Sequence, residues 1–166
     1  PYYCIIPALV IHYIIENLHI KKIKVASIVL SLIFAYHLFN FLSITPYQYT
    51  YLNLLNGKTE TRYKKFENDY WATSLKELIR NTNFNTDKKI KFSTCGFIDE
   101  APKHYLKKKT NLNYVFVKPN EAEYIIMTNR VSRYHGIVNC FDIFEGKEVS
   151  SVKRNGAILS TIRKMK

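Results

Sequence analysis

The residues best suited to bind a substrate form one short group, Glu67-Asn68-Asp69-Tyr70-Trp71. Two carboxylates beside two large aromatic rings can bind a sugar, because rings stack on its apolar face and carboxylates accept hydrogen bonds from its hydroxyls. The candidate substrate-binding residues are therefore Glu67, Asp69, Tyr70 and Trp71. A second interpretation is that this group docks the domain at a membrane, where a tryptophan commonly acts as an anchor.

The other charged residues do not form a recognisable catalytic or metal site. Asp99 and Glu100 are neighbours in a predicted loop, and no candidate nucleophile lies near them. His104 and His135 have no metal-ligand partner close in sequence, so surface or core positions are expected for both. We assign no catalytic residue, no metal site and no cofactor to this chain.

The three cysteines, Cys4, Cys95 and Cys140, lack the C-x-x-C spacing of a metal site. Cys95 and Cys140 can form a disulfide if the domain lies outside the cytoplasm. The alternative is that they are two small buried thiols.

The first 44 residues have the composition of a membrane segment. Residues 25–44 contain no Asp, Glu, Lys or Arg, and 20 helical residues span about 30 Å, the thickness of a bilayer core. The preceding apolar stretch, residues 1–15, is shorter, and we interpret it as a second span whose beginning lies before Pro1. The chain then is the C-terminal piece of a longer protein.

A loop at residues 16–24 sets the expected orientation. It contains Lys21, Lys22 and Lys24, close to both predicted spans, and short loops rich in lysine stay in the cytoplasm. One crossing later, everything after Ile44 is expected on the outer side of the membrane.

The rest of the chain has the pattern of a mixed α/β (α+β) domain. Ser74 and Glu77 have capping-box spacing, and the apolar stripe of Leu75, Leu78 and Ile79 predicts a helix that begins near Thr73. Short runs rich in β-branched and aromatic residues predict the strands. The predicted strands are residues 89–95, 113–118, 123–128, 137–144, 148–154 and 157–163, with a helix at 102–109.

Asn155-Gly156 is a favoured two-residue hairpin turn. A regular hairpin around it places Val152 opposite Leu159 and Val149 opposite Ile162.

Thr45 and Pro46 can begin another helix that Gly57 ends, with its tyrosines and leucines on one side. We interpret it as an interfacial helix, and a core-facing helix is the alternative. Three regions result: two transmembrane helices with a short cytoplasmic loop (1–44), the interfacial helix and a junction (45–81), and an extracytoplasmic α/β domain (82–166).

Two stretches resemble a known family. Residues 46–53 (PYQYTYLN) and 66–77 (FENDYWATSLKE) are similar to the segment after the last membrane helix in bacterial membrane glycosyltransferases of the family 39 type. These proteins are relatives of protein mannosyltransferases and have the polytopic GT-C architecture. Residues 152–162 (VKRNGAILSTI) resemble the closing hairpin of their soluble domain. Ala72 departs from the pattern, because glycine is usual there, and Thr45 stands where His or Asn is common.

The resemblance implies sugar transfer from a polyprenyl-phosphate donor at the outer face of a bacterial inner membrane. The catalytic acidic residue of such enzymes lies in a first outer loop that is not in this chain, so the fragment alone is expected to be inactive. The expected partners are membrane lipid, the lipid-linked donor and the rest of the polytopic chain. Cations that could meet the lipid phosphate are Lys58, Arg62, Lys64 and Lys65, for which a plain solvated surface is the alternative.

The net charge of +12 leaves another class of function open, a non-catalytic membrane-anchored domain that binds anionic lipid or envelope polymer. Nucleic-acid binding is not expected, since the lysines are scattered over many elements instead of gathered on one.

Overall fold

The computed structural model describes residues 5–17, 20–50, 59–84, 88–109, 112–132 and 138–165, without the side chains of residues 20–23, 59, 60 and 62. The chain divides into two compact units, Pro1–Leu42 and Ser43–Lys166.

The first unit contains two helices, α1 (Ile5–Asn17) and α2 (Ile20–Ser43). Within α2, the stretch Lys24–Ser43 is long and apolar enough to cross a membrane, and none of it is buried inside the structure. The 13 residues of α1 rise only about 20 Å, so its described part does not by itself span a bilayer core. One candidate membrane span is therefore present among the described residues, where the sequence predicted two.

The predicted loop at residues 16–24 is wrong in its extent. α1 continues to Asn17 and α2 already begins at Ile20, so Lys21, Lys22 and Lys24 lie in the first turns of a helix. Because lysine has a good intrinsic helix propensity, these residues extend the apolar helix at little cost in free energy.

The second unit confirms the mixed α/β class. Its described residues form five strands, β1 (Ile90–Cys95), β2 (Tyr114–Phe116), β3 (Tyr124–Thr128), β4 (Lys147–Arg154) and β5 (Ala157–Lys164). They form one mixed sheet in the order β2-β1-β3-β5-β4. β1 runs parallel to β2 and β3, whereas β5 is antiparallel to both β3 and β4.

One face of the sheet is covered by two helices, α3 (Leu75–Asn81) and α4 (Glu100–Leu106). α4 is the crossover between β1 and β2, as predicted from the strand, helix, strand order. The apolar stripe of α3 is fully buried, and each of its side chains stabilises the fold by about 1.5–3 kcal/mol. The core on this face contains Leu75, Leu78, Ile79, Ile90, Phe92, Leu106, Ile126, Leu159 and Ile162.

The opposite face is covered by a short helix, α5 (Cys140–Ile143). Its core is smaller and contains Cys95, Ile125, Met127, Cys140 and Phe141. Successive side chains of a strand point to opposite faces of the sheet. In β3, Ile125 and Met127 lie on one face and Ile126 and Thr128 on the other, and all four are buried, so both faces of this strand are covered.

The predicted strand at residues 137–144 is wrong where it can be compared. Asn139 makes only an isolated bridge to Val131, and residues 140–143 are α5. The side chain of Asn139 accepts a hydrogen bond from the backbone N–H of Phe141 at 3.0 Å, which is a helix N-cap. The short apolar run was compatible with either element, and this cap favours the helix.

The hairpin turn is confirmed at Asn155 and Gly156, which both have positive φ, but between two bulges the pairing is shifted by one residue from the predicted register. Val152 pairs with Ser160 and Ser150 pairs with Ile162. One residue is left unpaired on each strand, Leu159 on β5 and Val149 on β4. The bulge lets Leu159 and Ile162, three residues apart, enter the same core cluster, which a regular strand does not allow.

The helix predicted to begin at Pro46 is also wrong at its start. Residues 44–46 form a turn, closed by a hydrogen bond of 2.7 Å from Tyr47 N–H to the Ile44 carbonyl, and residues 48–50 form a single 3₁₀ turn. Side-chain bonds of Tyr47 and Tyr49 to the rest of the unit determine this path. Residues 51–58 lie outside the described residues.

Candidate functional site

The candidate substrate-binding residues lie at one end of the sheet of the second unit. The chain enters this unit at Ser43, whose hydroxyl donates to Asn155 Oδ1 in the hairpin turn at 2.8 Å. Thr128, the last residue of β3, pairs with Ser160 close to the same turn, and β1 ends at the same side because it runs parallel to β3. We call this the entry end.

Asp69 is the centre of a buried hydrogen-bond network at the entry end. Its side chain has no exposed surface. Oδ1 accepts from the Tyr49 hydroxyl and from Thr73 N–H at 2.9 Å, and Oδ2 accepts from Ser74 N–H at 3.2 Å and from the Ser74 hydroxyl. Because both oxygens are occupied and shielded from solvent, Asp69 holds the segment in place and does not contact a ligand directly.

This network replaces the predicted capping box of α3. Ser74 makes no side-chain cap bond, because its hydroxyl lies between Asp69 and Ser160, with 2.6 Å to the latter. The N–H groups near the start of α3 are satisfied by Asp69 instead. Glu77 therefore is free to bind other elements.

Glu77 joins α3 to the hairpin and to the entry segment. Its Oε2 accepts from Arg154 Nη2 at 2.7 Å and from the Tyr47 hydroxyl at 2.8 Å. Burial raises the pKa of Glu77, but these two bonds outweigh it, so the pKa lies below its ordinary value. Burial and the bond to Glu77 raise the pKa of Tyr47, and burial and the bond to Asp69 raise that of Tyr49.

The segment after β3, residues 129–132, connects the candidate residues to the sheet. The buried amide of Asn129 donates to the Phe66 carbonyl at 3.1 Å, and Val131 N–H donates to Glu67 Oε1 at 2.8 Å. The guanidinium of Arg130 lies 4.0 Å from the centre of the Tyr70 ring, and its Nη1 donates to the Tyr70 carbonyl at 3.4 Å. These contacts hold residues 66–70 against the carboxyl ends of two parallel strands.

An open pocket of about 330 Å³ lies on this segment. Trp71 is 76% exposed there, and its ring meets Tyr70 edge to face at 5.2 Å. Glu67 offers its second oxygen, Oε2, which accepts no hydrogen bond from a described residue. The residues that line the pocket are Tyr49, Thr50, Phe66, Glu67, Asn68, Tyr70 and Trp71. The structure thus brings three of the four candidate residues together at the pocket, with Asp69 beneath them.

Two of the four candidate cations can be located. Lys58 and the side chain of Arg62 lie outside the residues that the structure describes. Lys64 and Lys65 are exposed beside Phe66, and Lys64 Nζ lies 5.8 Å from the centre of the Tyr63 ring.

Cys95 and Cys140 form a disulfide between the end of β1 and the start of α5, with Cα atoms 5.7 Å apart. It is buried in the second core. Next to it, Asn139 donates to the Asn129 side chain at 2.7 Å and to the Tyr63 carbonyl at 3.2 Å. The disulfide thus fixes α5 to the end of β1, and the bond between Asn139 and Asn129 holds the start of α5 against the segment that carries Arg130.

No group of three or more His, Cys, Asp and Glu residues in the described part of the chain could hold a metal ion. His104 is exposed on α4 and stacks edge to face on Tyr105, and His135 lies outside the described residues.

The sequence analysis did not identify Tyr49, Asn129 and Arg130 as parts of this site. A signal was present for two of them, because polar residues that follow a buried strand lie at its carboxyl end, where α/β sheets bind ligands. Tyr49 had no such signal, since its role depends on a contact with a residue 20 positions away.

Comparisons with models of protein families, with curated proteins and with solved structures found no match for this chain. The family resemblance consequently depends on the residues quoted for it in the sequence.

Proposed function

We propose that this chain is the C-terminal part of an integral membrane glycosyltransferase of the bacterial inner membrane, which transfers a sugar from a polyprenyl-phosphate donor. In this proposal α1 and α2 belong to the last two crossings of a multi-pass protein, and the α/β unit lies on the outer side. The catalytic carboxylate is supplied by an outer loop elsewhere in the longer chain.

The observation that supports this function best is the pocket at the entry end. It combines exposed aromatic rings with a carboxylate oxygen and an amide, the groups that bind a sugar, and it lies on a unit that begins where the candidate membrane helix ends. A lipid-linked sugar is presented at a membrane surface, so a sugar site is useful only close to that surface.

The pocket residues then have distinct roles. The rings of Tyr70 and Trp71 stack on the apolar face of the sugar, and Glu67 Oε2 accepts from a hydroxyl. Asp69 is a positioning residue, because it orders the segment from below. Lys64 and Lys65, next to Phe66, bind the phosphate of the donor.

The orientation follows from charge. Lys21, Lys22 and Lys24 lie at the start of α2, and lysines at that position favour the cytoplasmic side for this end of the helix. The end at Ser43, with the unit that follows it, is then on the outer side.

The test is sugar transfer by membranes that contain the full open reading frame, with radiolabelled polyprenyl-phosphate mannose, glucose and galactose as donors. We expect transfer from one of them. Tyr70→Ala should raise the KM for the substrate held in the pocket while kcat changes little, because a stacking contact formed equally in ground and transition states affects binding only. Glu67→Gln keeps the oxygen that bonds Val131 but removes the charge, and it should act in the same direction.

His104→Ala is the matched control, since His104 is exposed on α4, away from the pocket. Transfer with unchanged KM in both pocket variants contradicts the assigned residues. No transfer from any donor contradicts the enzyme itself, and a membrane-anchored domain that binds anionic lipid or envelope polymer is then the better explanation of the basic composition.

A further inference from the structure

We infer that the entry end of the α/β unit is a membrane-docking surface, whose exposed apolar side chains insert into the interfacial zone of a bilayer that contains anionic lipid. The inference does not depend on sugar transfer. It requires only that the chain is attached to a membrane through α2.

The exposed large apolar residues of the unit are unevenly placed. Five of them hydrogen-bond to the segment 129–132 or lie within two residues of a residue that does, and they are Phe66, Tyr70, Trp71, Ile98 and Val138. The Phe66 carbonyl accepts from Asn129, the Val138 carbonyl accepts from Ser132 N–H at 3.0 Å, and Ile98 follows Gly96, whose carbonyl accepts from Arg130 at 3.2 Å. They therefore share one end of the sheet.

Packing does not explain this exposure. Trp71 is 76% exposed and Ile98 is 66% exposed, although buried positions dominate the adjacent strands. A cluster of exposed apolar side chains with a basic rim is typical of a surface that meets a membrane or a partner.

The bilayer is the occupant that the chain itself indicates. The unit begins at Ser43, the last residue of the helix that is apolar enough to span a membrane, and Ser43 bonds to the hairpin turn at the entry end. The chain therefore reaches the entry end at the residue where α2 ends. Trp and Tyr are the side chains that prefer the interfacial zone, because one part of each is apolar and another needs a polar partner.

Charge at this end fits anionic headgroups. Lys64 and Lys65 are exposed beside Phe66, whereas Lys153, close to the hairpin turn, is already paired with Glu148 at 3.2 Å. The one pocket carboxylate with exposed surface, Glu67, already accepts a hydrogen bond from Val131. Lysines near a surface of anionic lipid are attracted to it over about a Debye length.

The test uses Trp71 as the probe, because it is the only tryptophan in the 166 residues. The full chain is inserted in vesicles of phosphatidylcholine and phosphatidylglycerol, with or without bromine atoms on the acyl chains near the headgroup. Bromine quenches a tryptophan only on contact. We expect Trp71 to lose most of its emission in brominated vesicles, and Ile98→Ser to reduce that loss.

The matched control moves the probe to the other end of the sheet. Val149 is 40% exposed near the start of β4, far from the turn, so Val149→Trp in a Trp71→Phe background places a tryptophan at a partly exposed position there. That variant should not be quenched.

Three outcomes overturn the inference. If Trp71 keeps both the intensity and the wavelength of its emission in brominated vesicles, it lies in water. Equal quenching of both probes shows a nonspecific collapse onto the bilayer. A blue shift of Trp71 without quenching shows that protein, such as a second copy, covers the surface.

Discussion

Asp69 organises the entry end because it is a buried carboxylate with several donors and no exposed surface. An isolated charge in such a place is costly, and only its hydrogen bonds make it tolerable. The pocket above it therefore depends on a residue that a ligand does not touch.

Asp69→Asn is expected to destabilise the second unit by about 2–3 kcal/mol, because an amide NH₂ would face the N–H and hydroxyl of Ser74. Thermal unfolding of the full chain in detergent, followed by near-ultraviolet circular dichroism, measures this change. Asp142→Asn is the control, since Asp142 is exposed and accepts one side-chain bond, from Tyr63 at 3.1 Å. Equal midpoints for the two variants would show that the network adds no stability.

Ala72 has φ of +54°, a backbone conformation that glycine adopts freely and that costs alanine about 1 kcal/mol. Ala72→Gly should therefore change the free energy of unfolding little, although it removes a buried methyl group. Ala122 is buried to the same degree but has φ of −80°, so Ala122→Gly should cost about 1 kcal/mol. If Ala72→Gly lowers the free energy of unfolding more than Ala122→Gly does, the backbone at Ala72 is not strained.

The tyrosines at the entry end predict an alkaline limit of stability. The pKa values of Tyr47 and Tyr49 are raised in the folded chain, so above about pH 10 the unfolded chain loses these protons while the folded chain keeps them. The stabilisation is complete below that pH and decreases as pH rises above it. The loss of stability above pH 10 should be smaller in the double variant Tyr47→Phe/Tyr49→Phe than in Tyr70→Phe. The same dependence of stability on pH in both variants would contradict the role of Tyr47 and Tyr49.

The helices and strands that the sequence predicted best are those that a local pattern determines. The stripe of α3, the strands β1 and β3 and the Asn155-Gly156 turn depend on periodicity and turn chemistry, and they lie close to their predicted positions. Two of the errors arose where a distant contact decided the outcome. Tyr47 is held by Glu77, 30 residues away, and the bulge at Leu159 is imposed by the core.

The disulfide links two elements, β1 and α5, and closes a loop of 45 residues between them. A loop of that length restricts the unfolded chain by an amount worth about 4 kcal/mol in the loop-entropy model. Replacing Cys95 and Cys140 together by serine should lower the unfolding midpoint strongly and loosen the segment that carries Arg130. Cys4→Ser should have no comparable effect, and a double variant as stable as the Cys4 variant would contradict this role.

For the whole molecule, both proposals place a membrane next to the entry end, and the proposed function has the further premise that the α/β unit lies on the outer side of that membrane. α2 is suited in length and composition to be the crossing, lysines cluster where α2 begins, and apolar side chains are exposed where the following unit starts. The disulfide is compatible with this premise, because buried structural disulfides persist in oxidising compartments.

The location of the C-terminus tests this premise most directly. Alkaline phosphatase and green fluorescent protein are fused separately after Lys166 in the full open reading frame, because the first is active only outside the cytoplasm and the second is fluorescent only inside it. We expect high phosphatase activity and no fluorescence, and a weaker bias when Lys21, Lys22 and Lys24 are changed to glutamine. Fluorescence from the second fusion with an inactive phosphatase would place the domain in the cytoplasm and contradict the account.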